Sequence, residues 1–132
     1  MSTSYVKIFN ELINDFLTEL IEIFPENNAI KVKLTLFQTI IKLNVKKPCT
    51  DFMIKITPYL EKIAMKDESV FLGNDSPDII DKLQLCKQDL NNLSDNTKNA
   101  LWRYIKMFIT VGFKIIEMPS ETHTLINYII NN

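Results

Sequence analysis

Cys49, Cys86 and the single His123 are the residues whose types could build a nucleophile or hold a metal. A cysteine beside a histidine can ionise and attack, and thiolates with imidazoles can bind zinc. Neither chemistry has a local signature here, because the three residues lie far apart in the chain. Two cysteines and one histidine also fall short of the four ligands of a structural zinc site. Both thiols are expected to be reduced and partly buried, as in an intracellular protein. Asp67-Glu68 is a candidate acid pair, but adjacent carboxylates in a loop are expected to be solvated charge or a helix cap. Two glycines cannot build a phosphate-binding loop. The expectation is no catalytic residue, no metal, no cofactor and no enzymatic activity.

Binding is better represented. Trp102, Arg103 and Tyr104 are consecutive, and these residue types dominate interaction hot spots. Trp102 sits at the flank of an apolar helix face, so packing in the core is the competing expectation. Lys31, Lys42, Lys46 and Lys47 could track phosphates. That row lacks interleaved aromatic residues, and it could equally pair with an acidic first helix.

The elements that must position these residues read as helical. Gly (2) and Pro (5) are scarce, which disfavours turn-rich β architecture. A chain of 132 residues is expected to form one domain with one core. Tyr5, Ile8, Phe9, Leu12, Ile13, Phe16, Leu20 and Phe24 follow helical spacing, with Asn10 among the opposite-face residues. Thr3 or Ser4 is the expected cap and Pro25 the stop. Residues 30–36 alternate like a strand, but the alternation fails from Phe37 onward, and a helix accounts for the whole segment. Its apolar arc covers more than half the circumference. It is therefore expected at the centre of the bundle, capped by Asn27 or Asn28. Pro58 predicts a kink or split near Thr57. Residues 67–77 read as a turn or loop hinged at Gly73, and Ser76-Pro77 as the start of a surface helix. Ser94 or Asp95 predicts the cap of a second central helix, in which Gly112 allows close approach of a neighbour. Pro119 is expected to end that helix, and Ser120 to cap a short last one carrying His123 in an exposed first turn.

Charge is uneven although the net is −1. Residues 1–29 sum to −4, residues 30–66 to +6 with eight lysines against Asp51 and Glu61, and residues 67–99 to −4. A basic middle between acidic flanks suits intramolecular complementarity more than nucleic-acid binding. No signal peptide is visible, and no apolar run is long enough to span a membrane. Ile, Asn and Lys, all with AT-rich codons, are heavily used, and there is one Arg against 14 Lys.

Three blocks carry a resemblance. The first is Phe9-Asn10, Phe16-Leu17, Leu20 and Phe24-Pro25-Glu26. The second is Pro58-Tyr59, Ile63, Asp67-Glu68 and Phe71, and the third Leu101-Trp102, Tyr104 and Ile105. In order and spacing they resemble a family of small uncharacterised helical proteins of giant, mimivirus-like nucleocytoplasmic large DNA viruses. The resemblance implies a helical protein made in an infected cell and no established activity. A weaker likeness is to viral Bcl-2-like proteins, which carry Trp-Gly-Arg before an apolar helix; here Trp102-Arg103 lacks that glycine.

The combined expectation is an all-α bundle of five to seven helices, with residues 28–45 and 99–117 at its centre. Its function is expected to be interaction or assembly through helical surfaces, in the infected-cell cytoplasm or the virion. The expected partner is a viral or host protein or a second copy. The alternatives are a nucleic-acid factor using residues 31–47 and a Bcl-2-like host-signalling mimic.

Overall fold

The structure, a computed structural model, describes residues 2–68, 70 and 94–132. Every regular element among them is helical, which confirms the all-α class. Of the expected loop at 67–77, residues 69 and 71–77 lie outside the described residues, as do the helix from Ser76 and Cys86.

Helix α1 spans Ser2–Ile23, so it begins before Thr3 and Ser4, the expected caps. It closes with Phe24 N–H donating to Leu20 O at 2.8 Å, just before Pro25. Helix α2 spans Asn28–Leu43. Asn27 caps it, its Oδ1 accepting from the backbone N–H groups of Ala29 and Ile30 at 3.0 and 3.3 Å. That satisfies two of the donors a helix start leaves open. Helix α3 spans Lys47–Ile56, and a 3-10 turn at Thr57–Tyr59 separates it from α4, Leu60–Ala64. The turn falls where Pro58 removes a backbone donor, as its position predicts. Helix α5 spans Asp95–Ile115, with Ser94 Oγ accepting from Thr97 N–H at 3.2 Å. A 3-10 turn at Ser120–Thr122 leads into α6, His123–Asn131, so Ser120, the expected cap, lies within the turn, and Thr122 takes the cap position without a side-chain bond.

The core is built where α1, α3 and α5 meet. α1 runs antiparallel to α5: the Lys114 ammonium stands 5.1 Å from the Tyr5 ring centroid, Phe9 packs on Phe108, and Phe16 packs on Tyr104. Phe108 is the common member. Its ring lies 5.6 Å from Phe9, 5.6 Å from Phe16, 5.4 Å from Phe52 and 5.9 Å from Tyr104. Tilted and edge-on geometries at these separations add roughly 0.5–1.5 kcal/mol per pair beyond burial.

Helix α5 is central, as its periodicity predicts; α2 is not. Only Ile30 and Phe37 of α2 are buried, while Val32, Leu36, Ile40 and Leu43 are 57, 54, 36 and 83% exposed. The reason is angular. Ile30 and Phe37 lie on one side of the α2 cylinder and reach the core with Leu34 and Ile41. Val32, Leu36, Ile40 and Leu43 form a second apolar stripe that the described helices leave uncovered. The wide arc is real, but the fold uses one part of it. Asn10 is the opposite case. Placed on the polar face by its spacing, it is 7% exposed, and its Nδ2 donates to Val45 O at 2.9 Å. It thereby ties α1 to the turn between α2 and α3.

Gly112 performs the expected service. A Cβ built there would lie 2.5 Å from Met53 Sδ and 3.0 Å from its Cγ, so α3 and α5 approach across the missing side chain. Met53 is fully buried and has little room to yield. Gly112→Ala should gain about 1 kcal/mol of helix propensity and lose about 1–3 kcal/mol to overpacking, a net destabilisation. In a Met53→Ala background the same change should become stabilising. Chemical denaturation of the four variants reads that change of sign, and Gly112→Ala stabilising in both backgrounds refutes the packing account.

Lys66 closes α4 with φ 53°, a left-handed conformation that favours glycine. Asp67 N–H donates to Lys62 O and Lys66 N–H to Ile63 O, the pairing of a Schellman turn. Lys66→Gly should therefore raise stability by about 1 kcal/mol in thermal or urea denaturation. A fall instead would show that the lysine side chain contributes more than its backbone strain costs.

Candidate functional site

The nucleophile and ligand candidates resolve into structural parts. Cys49 is fully buried near the start of α3. Burial pushes its thiol up to about 11, against a small opposing pull from Lys46. A thiol so raised is protonated at neutral pH and is a poor nucleophile. His123 is half-buried rather than exposed. Its Nε2 lies 2.9 Å from Met118 O, and its ring stands edge-on to Phe113 at 5.1 Å. It fastens the start of α6 to the connection that precedes it. Glu68 pairs with Lys98 at 3.1 Å, a surface bridge between the end of the α3–α4 segment and the start of α5. Among the described residues, no group of three or more His, Cys, Asp or Glu is placed to hold a metal ion.

Trp102, Arg103 and Tyr104 do not form one surface. Tyr104 turns into the α1 interface, where its ring packs on Phe16 at 5.2 Å. Its hydroxyl is pushed up to about 12 by burial, then by its hydrogen bond to Glu19 and the charges of Glu19 and Asp15, with Arg103 opposing. Trp102 is half-buried and packs against the core, while Arg103 is exposed. These two line a cavity between α4, α5 and α6.

The lysine row also divides. Lys31 and Lys42 are exposed on α2. Lys46 lines a cleft between α1 and α2 that Glu11 and Asp15 line as well. Lys47 pairs with Asp51 at 3.0 Å within α3. The four do not make a continuous track along one helix.

The feature that periodicity did not single out is a groove between α2 and α3. Its volume is about 390 Å³. Phe16, Phe37 and Phe52, all buried, stand among its lining residues, with Leu36 and Ile40 on the α2 side and Pro48 on the α3 side. Lys33, Lys47 and Lys55 also line it, against one carboxylate, Asp51. The exposed stripe of Val32, Leu36, Ile40 and Leu43 borders this groove and extends its apolar surface. Surface of this kind, rimmed by charge, marks an interaction site more often than a scattered exposed leucine does. The sequence signal was the over-wide apolar arc of α2, which exceeds what one buried face needs.

No family model, curated protein or solved structure matches the chain. Among the described residues, no helix is long and apolar enough to cross a membrane.

The two raised groups give a pH signature. Each is neutral when protonated, and the fold favours that form. Their contribution is fully present below about pH 9 and is lost as pH rises through the window from about 9 to about 12. The urea midpoint should therefore fall above pH 9. Cys49→Ala should flatten the first part of that fall, and a midpoint constant from pH 8 to 11 would contradict the burial of both groups.

Proposed function

We propose that this chain is a non-enzymatic interaction or assembly protein of a giant nucleocytoplasmic DNA virus, docking a partner helix in the α2/α3 groove. The viral source rests on the three sequence blocks and the AT-rich residue usage. The docking function rests on one observation: Leu36 and Ile40 line a groove that Phe16, Phe37 and Phe52 also line, on an α2 stripe that continues through the exposed Val32 and Leu43.

The occupant follows from shape and charge. A groove lying between two helices accepts the apolar face of a third, read at i, i+3, i+4 and i+7. The described lining, with Lys33, Lys55 and a Lys47 that pairs with Asp51, carries net positive charge and favours a helix whose edges carry Glu or Asp. A partner of acidic amphipathic type therefore fits both the floor and the rim. The same groove is what the Bcl-2-like alternative requires, with a host helix in place of a viral one.

The test uses a helical peptide with leucines at i, i+3/i+4 and i+7 flanked by glutamates, and a second peptide with those glutamates changed to lysines. The acidic peptide should bind more tightly, by fluorescence anisotropy. Leu36→Glu and Ile40→Glu should each weaken it at least about tenfold, or about 1.4 kcal/mol. Leu36 is 54% exposed, so Leu36→Glu should change stability much less than it changes binding, and it is the variant that separates the two. Equal affinity for both peptides, or indifference to Leu36→Glu, overturns the reading. So does sedimentation showing a dimer that Leu36→Glu dissociates, which would assign the face to a second copy.

A further inference from the structure

The cavity between α4, α5 and α6 has a different chemistry from the groove. Its volume is about 670 Å³. Asn99, Trp102, Arg103 and Lys106 recur along α5 at i, i+3, i+4 and i+7, and all four line it. Lys66 reaches it from the end of α4 and Tyr128 from α6. Among the described residues, no Asp or Glu side chain lines it, although the chain as a whole carries a net charge of −1. Three cations from two elements therefore converge on one concavity beside two aromatic rings.

Accessibility is suited to binding. Lys66 and Arg103 are exposed, Tyr128 is 53% exposed, and Trp102 and Lys106 are half-buried. Lys66 is held there by the left-handed turn that closes α4, a conformation lysine adopts at a cost. Cations gathered around one concavity attract phosphate. Indole and phenol faces stack on nucleobases, and the side-chain amide of Asn99 can both donate to and accept from a base edge. The volume lies within the range of small-molecule sites. A bare anion would make no use of the exposed Tyr128 ring, and a lipid chain would have to desolvate three charges.

We infer that this cavity binds a nucleotide unit, its phosphate held by Lys66, Arg103 and Lys106 and its base against Trp102 and Tyr128. The unit can be a free mononucleotide or one residue of a single strand. The site is separate from the α2/α3 groove and from the lysine row of residues 31–47, so it stands or falls independently of both.

Trp102 is the only tryptophan, so its emission reports the site directly. The full chain is titrated at low salt with AMP, with UMP, with short single-stranded oligothymidylate and oligouridylate, and with inorganic phosphate. Nucleotides should quench Trp102 emission, and phosphate alone should not. Tighter binding of the oligonucleotides, with a steep loss of affinity on adding salt, assigns a single strand as the source; equal affinities assign the free nucleotide.

Arg103→Gln and Lys106→Gln should each weaken binding at least about fivefold with unchanged circular dichroism. Lys66→Gly should weaken binding while raising the melting temperature, which separates the site from stability. Lys31→Gln, Lys42→Gln and Leu36→Glu should leave the titration unchanged. Absence of quenching by every nucleotide, equal response to phosphate alone, or nucleotide affinity unmoved by Arg103→Gln and Lys106→Gln overturns the assignment.

Discussion

The packing of four aromatic rings around Phe108 is the constraint on which the rest of the structure depends. Phe9 and Phe16 from α1, Phe52 from α3 and Tyr104 from α5 itself all meet it within 6 Å. Rings have preferred mutual angles, so this cluster sets orientation as well as proximity. It places α1 antiparallel to α5. It also brings α3 close enough to α5 that Met53 occupies the space a side chain at residue 112 would need.

Once α1 and α3 are committed to α5, α2 can offer the core only part of its circumference. Ile30 and Phe37 take that role. The second stripe cannot turn inward without turning Ile30 and Phe37 out, because a helix is a rigid cylinder. The groove between α2 and α3 is thus a consequence of the aromatic core rather than a separate design. Its floor residues Phe16 and Phe52 belong to the same cluster. Stability and the proposed docking surface are therefore coupled: a substitution at either phenylalanine would disturb both, whereas Leu36 and Ile40 touch only the surface.

The two concavities differ in a way that suits different partners. The groove is floored by phenylalanine and bordered by aliphatic side chains, with lysines at its edge. The cavity beside α5 is lined by two aromatic rings and three cations. Tyr104 is adjacent in sequence to Trp102 and Arg103, yet consecutive helical residues point about 100° apart. Tyr104 is accordingly spent on Phe16 and Glu19, and Tyr128 from α6 supplies the second ring in its place.

The amino-acid sequence by itself determined the helices and most of their limits. Asn27 and Ser94 cap where their side chains can reach open N–H groups, Pro25 and Pro58 interrupt where proline must, and Gly112 marks a close approach. These are local rules, decided within a few residues by backbone geometry and hydrogen bonding. Tertiary structure alone decided which apolar residues are covered. Asn10 is buried because Val45, 35 residues away in sequence, offers it an acceptor. Leu43 is 83% exposed because no described helix lies over it. Burial depends on partners brought together from distant parts of the chain, and periodicity within one helix carries no record of who those partners are.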